Sequence, residues 1–119
     1  MATMNEVIEY VDRVRPNVFT DEDKYNWLST LEGLIARTVR QEEEPALELP
    51  RDADKELSVP APYDEIYRLY AMAMVDFYNR EYDQYNNTTA MFEQRLEQFK
   101  AWYIRHHPTC DKVNFKNVN

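Results

Sequence analysis

A chain of 119 residues with 44% hydrophobic content is one domain of ordinary size, with enough apolar side chain for a core. Its single glycine excludes phosphate cradles of the G-x-G-x-x-G or P-loop type, whose backbones need several glycines. A formal net charge of −8 repels nucleic acid unless a local basic patch overrides it.

The acidic excess is concentrated. Residues 41–58 hold Glu42, Glu43, Glu44, Glu48, Asp52, Asp54 and Glu56 against Arg51 and Lys55, so most of the net charge sits there. The one cysteine, Cys110, cannot form a disulfide within the chain, which fits a reducing compartment. Met1-Ala2-Thr3 leads toward acidic residues and not into a basic, then apolar, stretch, so no signal peptide is expected. No apolar run approaches the ~20 residues of a membrane helix. The glycosylation-type triplets in Asn86-Asn87-Thr88-Thr89 carry no weight without secretion.

A first helix is predicted from about Asn5 to Arg15. Val7, Ile8, Val11 and Val14 make its apolar stripe, and Pro16 ends it. A second helix begins after Thr20, a natural N-cap followed by Asp21, Glu22 and Asp23 where the helix dipole favours negative charge. Trp27, Leu28, Leu31, Leu34, Ile35 and Val39 are its expected buried face. Gly33 inside it costs about 1 kcal/mol relative to Ala and suggests a close helix–helix approach. Arg37 and Arg40 suit its last turn.

Residues 42–60 read as a linker. Ala46-Leu47-Glu48-Leu49 and Glu56-Leu57-Ser58-Val59 alternate, so a short β-hairpin or an extended loop is expected there. A third helix is predicted to start near Pro62, with Ile66, Leu69, Tyr70, Ala73, Met74 and Phe77 as its main stripe. Tyr63, Tyr67 and Tyr78 widen that stripe, and Asp64 and Arg68 form an i,i+4 pair. The helix breaks at Asn79-Arg80, where Asn79 can take the left-handed conformation.

A fourth helix is predicted from about Glu81 to His106. Tyr82, Tyr85, Thr89, Phe92, Leu96, Phe99 and Tyr103 recur at three- and four-residue steps straight through Asn86–Thr89. A fully buried Phe92 would lose roughly 3–5 kcal/mol on truncation to Ala. Pro108 ends the helix. The fold class is therefore all-α, one domain over residues 1–107, with a flexible polar tail at 108–119.

Chemistry finds little footing. His106-His107-x-x-Cys110 evokes a metal cluster, yet zinc needs three or four ligands and the chain has no other Cys or His. A fraying helix end is the simpler reading. The carboxylates include no Glu-x-x-His pair of the di-iron type. Asp64, Glu65, Glu81 and Asp83 read as solvated helix faces. Asp76, set among Met74, Val75 and Phe77, is the most interesting acid. Ser29 and Ser58 lie in no Gly-x-Ser-x-Gly elbow. Cys110 beside the two histidines belongs to a tail, not a pocket. The basic residues make no dense patch of the kind nucleic-acid modules carry. No metal, cofactor or catalytic residue is expected. The tyrosines at 63, 67, 70, 78, 82, 85 and 103 admit two readings, an amphipathic core and a subunit interface.

Several runs in the second half carry a resemblance. They are Pro60-Ala61-Pro62-Tyr63-Asp64-Glu65-Ile66-Tyr67, Asp76-Phe77-Tyr78-Asn79, Glu81-Tyr82-Asp83-Gln84-Tyr85-Asn86-Asn87 and Phe99-x-x-Trp102-Tyr103. Together they resemble the head–tail connector (adaptor) proteins of long-tailed bacteriophages and prophages. The likeness extends over the four-helix order and is weakest in the linker and tail. Members often carry Gly where this chain has Arg80, a departure that bears on the tightness of that turn.

The resemblance implies a structural virion protein at the head–tail interface, present in the bacterial cytoplasm before assembly. It implies binding to the portal and other head-completion or tail proteins, and self-association into a ring that extends the DNA channel. DNA would pass without specific binding, and no membrane is involved. An acidic chain suits such a conduit because it does not grip phosphates. Val113, Phe115 and Val118 in the tail, and Leu47, Leu49 and Leu57 in the linker, are the expected partner-binding residues. The alternative is a small acidic helical regulatory protein encoded by a prophage, and a distant third is an enzyme with an unrecognised carboxylate site.

Overall fold

The computed structural model describes residues 3–40 and 56–106. Among them the fold is all-α. Its helices are α1 (Met4–Val14), α2 (Asp21–Ile35), α3 (Glu65–Tyr78) and α4 (Tyr82–His106), and a π-helical turn, Ala36–Arg40, continues α2.

Local signals set the first two helices. Thr3 caps α1, its Oγ1 accepting from the Glu6 amide at 3.2 Å. Thr3-x-x-Glu6 has the capping-box spacing, which the apolar stripe alone, starting at Asn5, overlooks. Pro16 ends the helix as expected, with Arg15 already out of helical backbone at φ −127° and ψ 79°. Thr20 caps α2, accepting from the Asp23 amide at 3.1 Å.

The centre of the fold is α3, which packs on α1, α2 and α4. Ile66, Tyr67, Leu69, Ala71, Met72, Ala73, Val75 and Asp76 are all buried, so most of its circumference is covered. A helix apolar on most sides belongs in the middle. The longest helix, α4, lies along it and buries only Thr88, Phe99 and Tyr103 fully. It runs unbroken through Asn86–Thr89, as the three- and four-residue steps predict. Met4, Val7, Ile8 and Val11 of α1 and Leu28, Leu31 and Ile35 of α2 close the core from the other side.

Several expectations need correction. Val14, Leu34 and Phe77, placed on buried stripes, are exposed, and Met74 is only half-buried. The wide apolar arcs of these helices exceed what their neighbours cover. Helix α3 starts at Glu65, not Pro62, because residues 60–63 form a turn. In it the Tyr63 amide donates to the Pro60 carbonyl at 2.9 Å and the Ala61–Pro62 peptide is cis. Arg68 forms no ion pair with Asp64; its guanidinium lies 4.7 Å from the Tyr10 ring centroid instead. The left-handed residue after α3 is Arg80 at φ 62°, while Asn79 sits at φ −85°.

That turn is a complete Schellman motif. The Glu81 amide donates to the Asp76 carbonyl at 2.9 Å and the Arg80 amide to the Phe77 carbonyl at 3.1 Å. It is tight even though a non-glycine residue occupies the left-handed position.

The expected hairpin pairs Ala46–Leu49 with Glu56–Val59, and its first half lies outside the described residues. Glu56–Val59 is irregular chain that bends at Ser58 and Val59. Glu56 makes an isolated antiparallel bridge to Thr3, and no strand occurs among the described residues. Leu57, expected on a partner surface, is 3% exposed and packs with Val59 in the chain's own core. Leu47, Leu49, Val113, Phe115 and Val118 lie outside the described residues, as do His107 and Cys110.

Candidate interaction surface

Three buried polar clusters fasten the elements. Asp76 is 2% exposed; its Oδ1 lies 3.1 Å from Arg15 Nε, and its Oδ2 accepts from Thr88 Oγ1 at 3.3 Å. One carboxylate thereby joins the end of α1, α3 and α4. Lys24 Nζ, also buried, sits 2.6 Å from Asp12 Oδ1 and ties α2 to α1.

The third cluster centres on Glu32. Its carboxylate accepts from the Ser58 amide at 3.0 Å, from Ser58 Oγ at 2.9 Å and from the Tyr67 hydroxyl at 2.5 Å. The Tyr67 oxygen in turn accepts from the Val59 amide at 2.9 Å. Burial, then the nearby Glu32 charge, pushes the Tyr67 phenol well above its ordinary value. In each cluster the buried charge faces a partner that holds two segments together, which is a packing role. Among the described residues no group of three or more His, Cys, Asp or Glu converges as a metal site. None of the described helices is long and apolar enough to cross a membrane.

The surface offers more. Rings from the α1–α2 loop, α2, α3 and α4 form a continuous array. Phe19 meets Trp27 at 5.6 Å and Tyr78 at 5.9 Å, centroid to centroid. Trp27 and Tyr78 stack at 5.9 Å with only 12° between their planes. Phe77 continues the array to Tyr78, to Tyr82 and, at 5.3 Å, to Tyr85. Phe77 is 43% exposed, Tyr78 and Tyr82 are each 53% exposed, and neighbouring Val18 stands out at 93%.

The local sequence places these rings. In the α1–α2 loop, Asn17 Oδ1 accepts from the Phe19 amide at 3.1 Å while its Nδ2 donates to Asp12 and to the Arg15 carbonyl. This Asx turn aims Phe19 at α2. The Lys24–Asp12 pair fixes the first turn of α2, and Trp27 follows Asp23 one helical turn on. The Schellman turn then brings Tyr82 of α4 beside Phe77 and Tyr78 of α3.

Phe19, Asp23, Trp27 and Tyr78 line a cleft of about 210 Å³. A larger, polar cleft of about 450 Å³ opens between α1 and the start of α3, lined by both signs of charge from Glu6, Glu9, Arg13, Asp64 and Arg68 around Tyr10. Contiguous exposed apolar surface of the first kind marks partner contact more often than the second.

Sequence reasoning named Asp76, the tyrosines and, as a helix-start acid only, Asp23, but missed Glu32, Lys24 and Phe19. Of the tyrosines, Tyr67 and Tyr103 are core, Tyr63, Tyr70 and Tyr85 half-buried, and Tyr78 and Tyr82 exposed. The Asn17-x-Phe19 spacing of an Asx turn was the one local signal for Phe19. Compared with family models, with curated proteins and with solved structures, the chain matches none.

Proposed function

We propose that the chain is a structural head–tail connector of a long-tailed bacteriophage or prophage. It binds the portal and head-completion proteins, self-associates into a ring and extends the DNA channel within the virion. The observation that carries this reading is the exposed ring array around the α3–α4 turn. Phe77, Tyr78 and Tyr82 belong to the very runs that resemble connector proteins, and they face outward instead of filling the core. Exposed Tyr and Trp clusters are the usual anchors of protein–protein contact. The net charge of −8 suits a conduit that must not hold DNA. Val113, Phe115 and Val118 in the tail are proposed as further portal contacts, and Leu47 and Leu49 as contacts between neighbouring subunits.

The test is size-exclusion chromatography with light scattering, the chain alone and mixed with the portal protein of the same genome. A connector co-elutes with the portal as a multimer, and Tyr78→Ala with Tyr82→Ala abolishes co-elution while the helical signal stays. Deleting residues 109–119 is likewise expected to weaken portal binding without unfolding the helices. A chain that ignores the portal at micromolar concentrations overturns the reading in favour of a small acidic regulatory protein.

A further inference from the structure

We propose that the cleft between Phe19, Trp27 and Tyr78 receives an arginine side chain of a partner protein, with Asp23 as its counter-ion. This rests on reading the ring array as a docking surface and adds the chemistry of what docks there. Trp27 and Tyr78 stack 12° from parallel, and Phe19 packs at 67° to Trp27 beside the stack. Aromatic faces carry partial negative charge and attract cations laid over them.

Asp23 lines the same cleft. Its backbone amide is taken by Thr20, but its side chain makes no ion pair or hydrogen bond among the described residues. Asp21 and Glu22 share its helical turn, and three formal charges outweigh the positive end of the helix dipole, about half a charge. The basic residues that flank this region in sequence are occupied elsewhere, Arg15 by Asp76 and Lys24 by Asp12. Among the described residues the cleft is thus negative, aromatic and without a cation of its own.

Size and shape narrow the occupant. At about 210 Å³ the cleft falls below the roughly 300–1,000 Å³ of small-molecule sites and suits a single side chain. A planar guanidinium can lie over an outer ring face of the Trp27–Tyr78 stack while donating two parallel hydrogen bonds to a carboxylate. The ammonium of lysine, a compact point charge, uses only one of those features at a time.

The experiment is an NMR titration of the full ¹⁵N-labelled chain with the peptide N-acetyl-Gly-Arg-Gly-amide. The Trp27 indole N–H and the Asp23 amide are expected to shift saturably in the millimolar range. The same peptide with uncharged citrulline in place of arginine is expected to bind at least about tenfold more weakly. Asp23→Asn is expected to cost a similar factor with the melting temperature held, and Tyr78→Ala to remove binding. The proposal is overturned if Trp27 shows no saturable shift, if citrulline binds as well as arginine, or if Asp23→Asn changes nothing. Tetramethylammonium binding as tightly as the arginine peptide overturns the guanidinium assignment. The titration contains no portal protein. Arginine binding by a chain that ignores the portal therefore supports the cleft and overturns only the connector reading.

Discussion

Arg15, at the end of α1, holds Asp76 of α3 across 61 residues of chain, with Nε 3.1 Å from Oδ1. The two ends of this pair are unequal. The Arg15 side chain is 30% exposed, whereas that of Asp76 is 2% exposed. Truncating arginine strands a buried carboxylate; neutralising the acid leaves a cation that can turn to water. Arg15→Met is therefore expected to cost about 3 kcal/mol and Asp76→Asn, which keeps the Thr88 contact, about 1–2 kcal/mol. Urea unfolding followed by circular dichroism measures both, and the reverse order would mean the carboxylate is better solvated than its burial implies.

The Glu32–Tyr67 contact makes stability depend on alkaline pH. The folded-state phenol is raised above its ordinary value of 10.0, by burial first and then by the Glu32 charge. The folded chain therefore holds the proton more tightly than the unfolded one. Stability is fully present below about pH 10 and falls above it, by up to about 1.4 kcal/mol per pH unit for one such group. Burial raises Tyr70 as well, with the same sign. Tyr67→Phe is expected to lower stability at pH 7 by about 1–3 kcal/mol, since Val59 loses its acceptor, and to flatten the slope between pH 10 and 12. An unchanged slope in denaturant titrations across that range would show that Tyr67 ionises freely.

Arg80 occupies a left-handed position that costs a residue with a Cβ about 1–2 kcal/mol. Arg80→Gly should raise stability by about 1 kcal/mol with the helical signal unchanged. A drop in melting temperature would show that the arginine side chain contributes more than its backbone costs.

Phe92 and Phe99 lie seven residues apart on α4 but differ in depth. Phe99 is fully buried against Tyr63, Trp102 and Tyr103. Phe92 is half-buried against Tyr70. Phe99→Ala is expected to cost about 3–5 kcal/mol and Phe92→Ala only about 1–2 kcal/mol. Equal losses in chemical denaturation would contradict this difference in burial.

Helix type and extent were legible in the sequence because their causes are local. Thr20 with the acids after it, Pro16 after α1, and the unbroken spacing from Tyr82 to Tyr103 each act within a turn or two of chain. So does the break at Asn79-Arg80, although which of the two residues turns left-handed was not legible from propensity. What the tertiary structure alone decided is which part of a wide apolar arc gets covered. Leu34 and Phe77 satisfy the same periodicity as Leu31 and Ala73, yet the packing leaves them at the surface, Phe77 at 43% exposure even with Tyr82 and Tyr85 of α4 against it. The buried charges of Lys24 and Glu32 were invisible for the same reason. Glu32 meets Ser58 and Tyr67 across 26 and 35 residues, and Phe19 meets Tyr78 across a helix that lies between them in sequence. Periodicity reports the face a side chain shares with its own helix. It carries no information about what another helix brings to that face, and the aromatic cleft with Asp23 exists only where those faces meet.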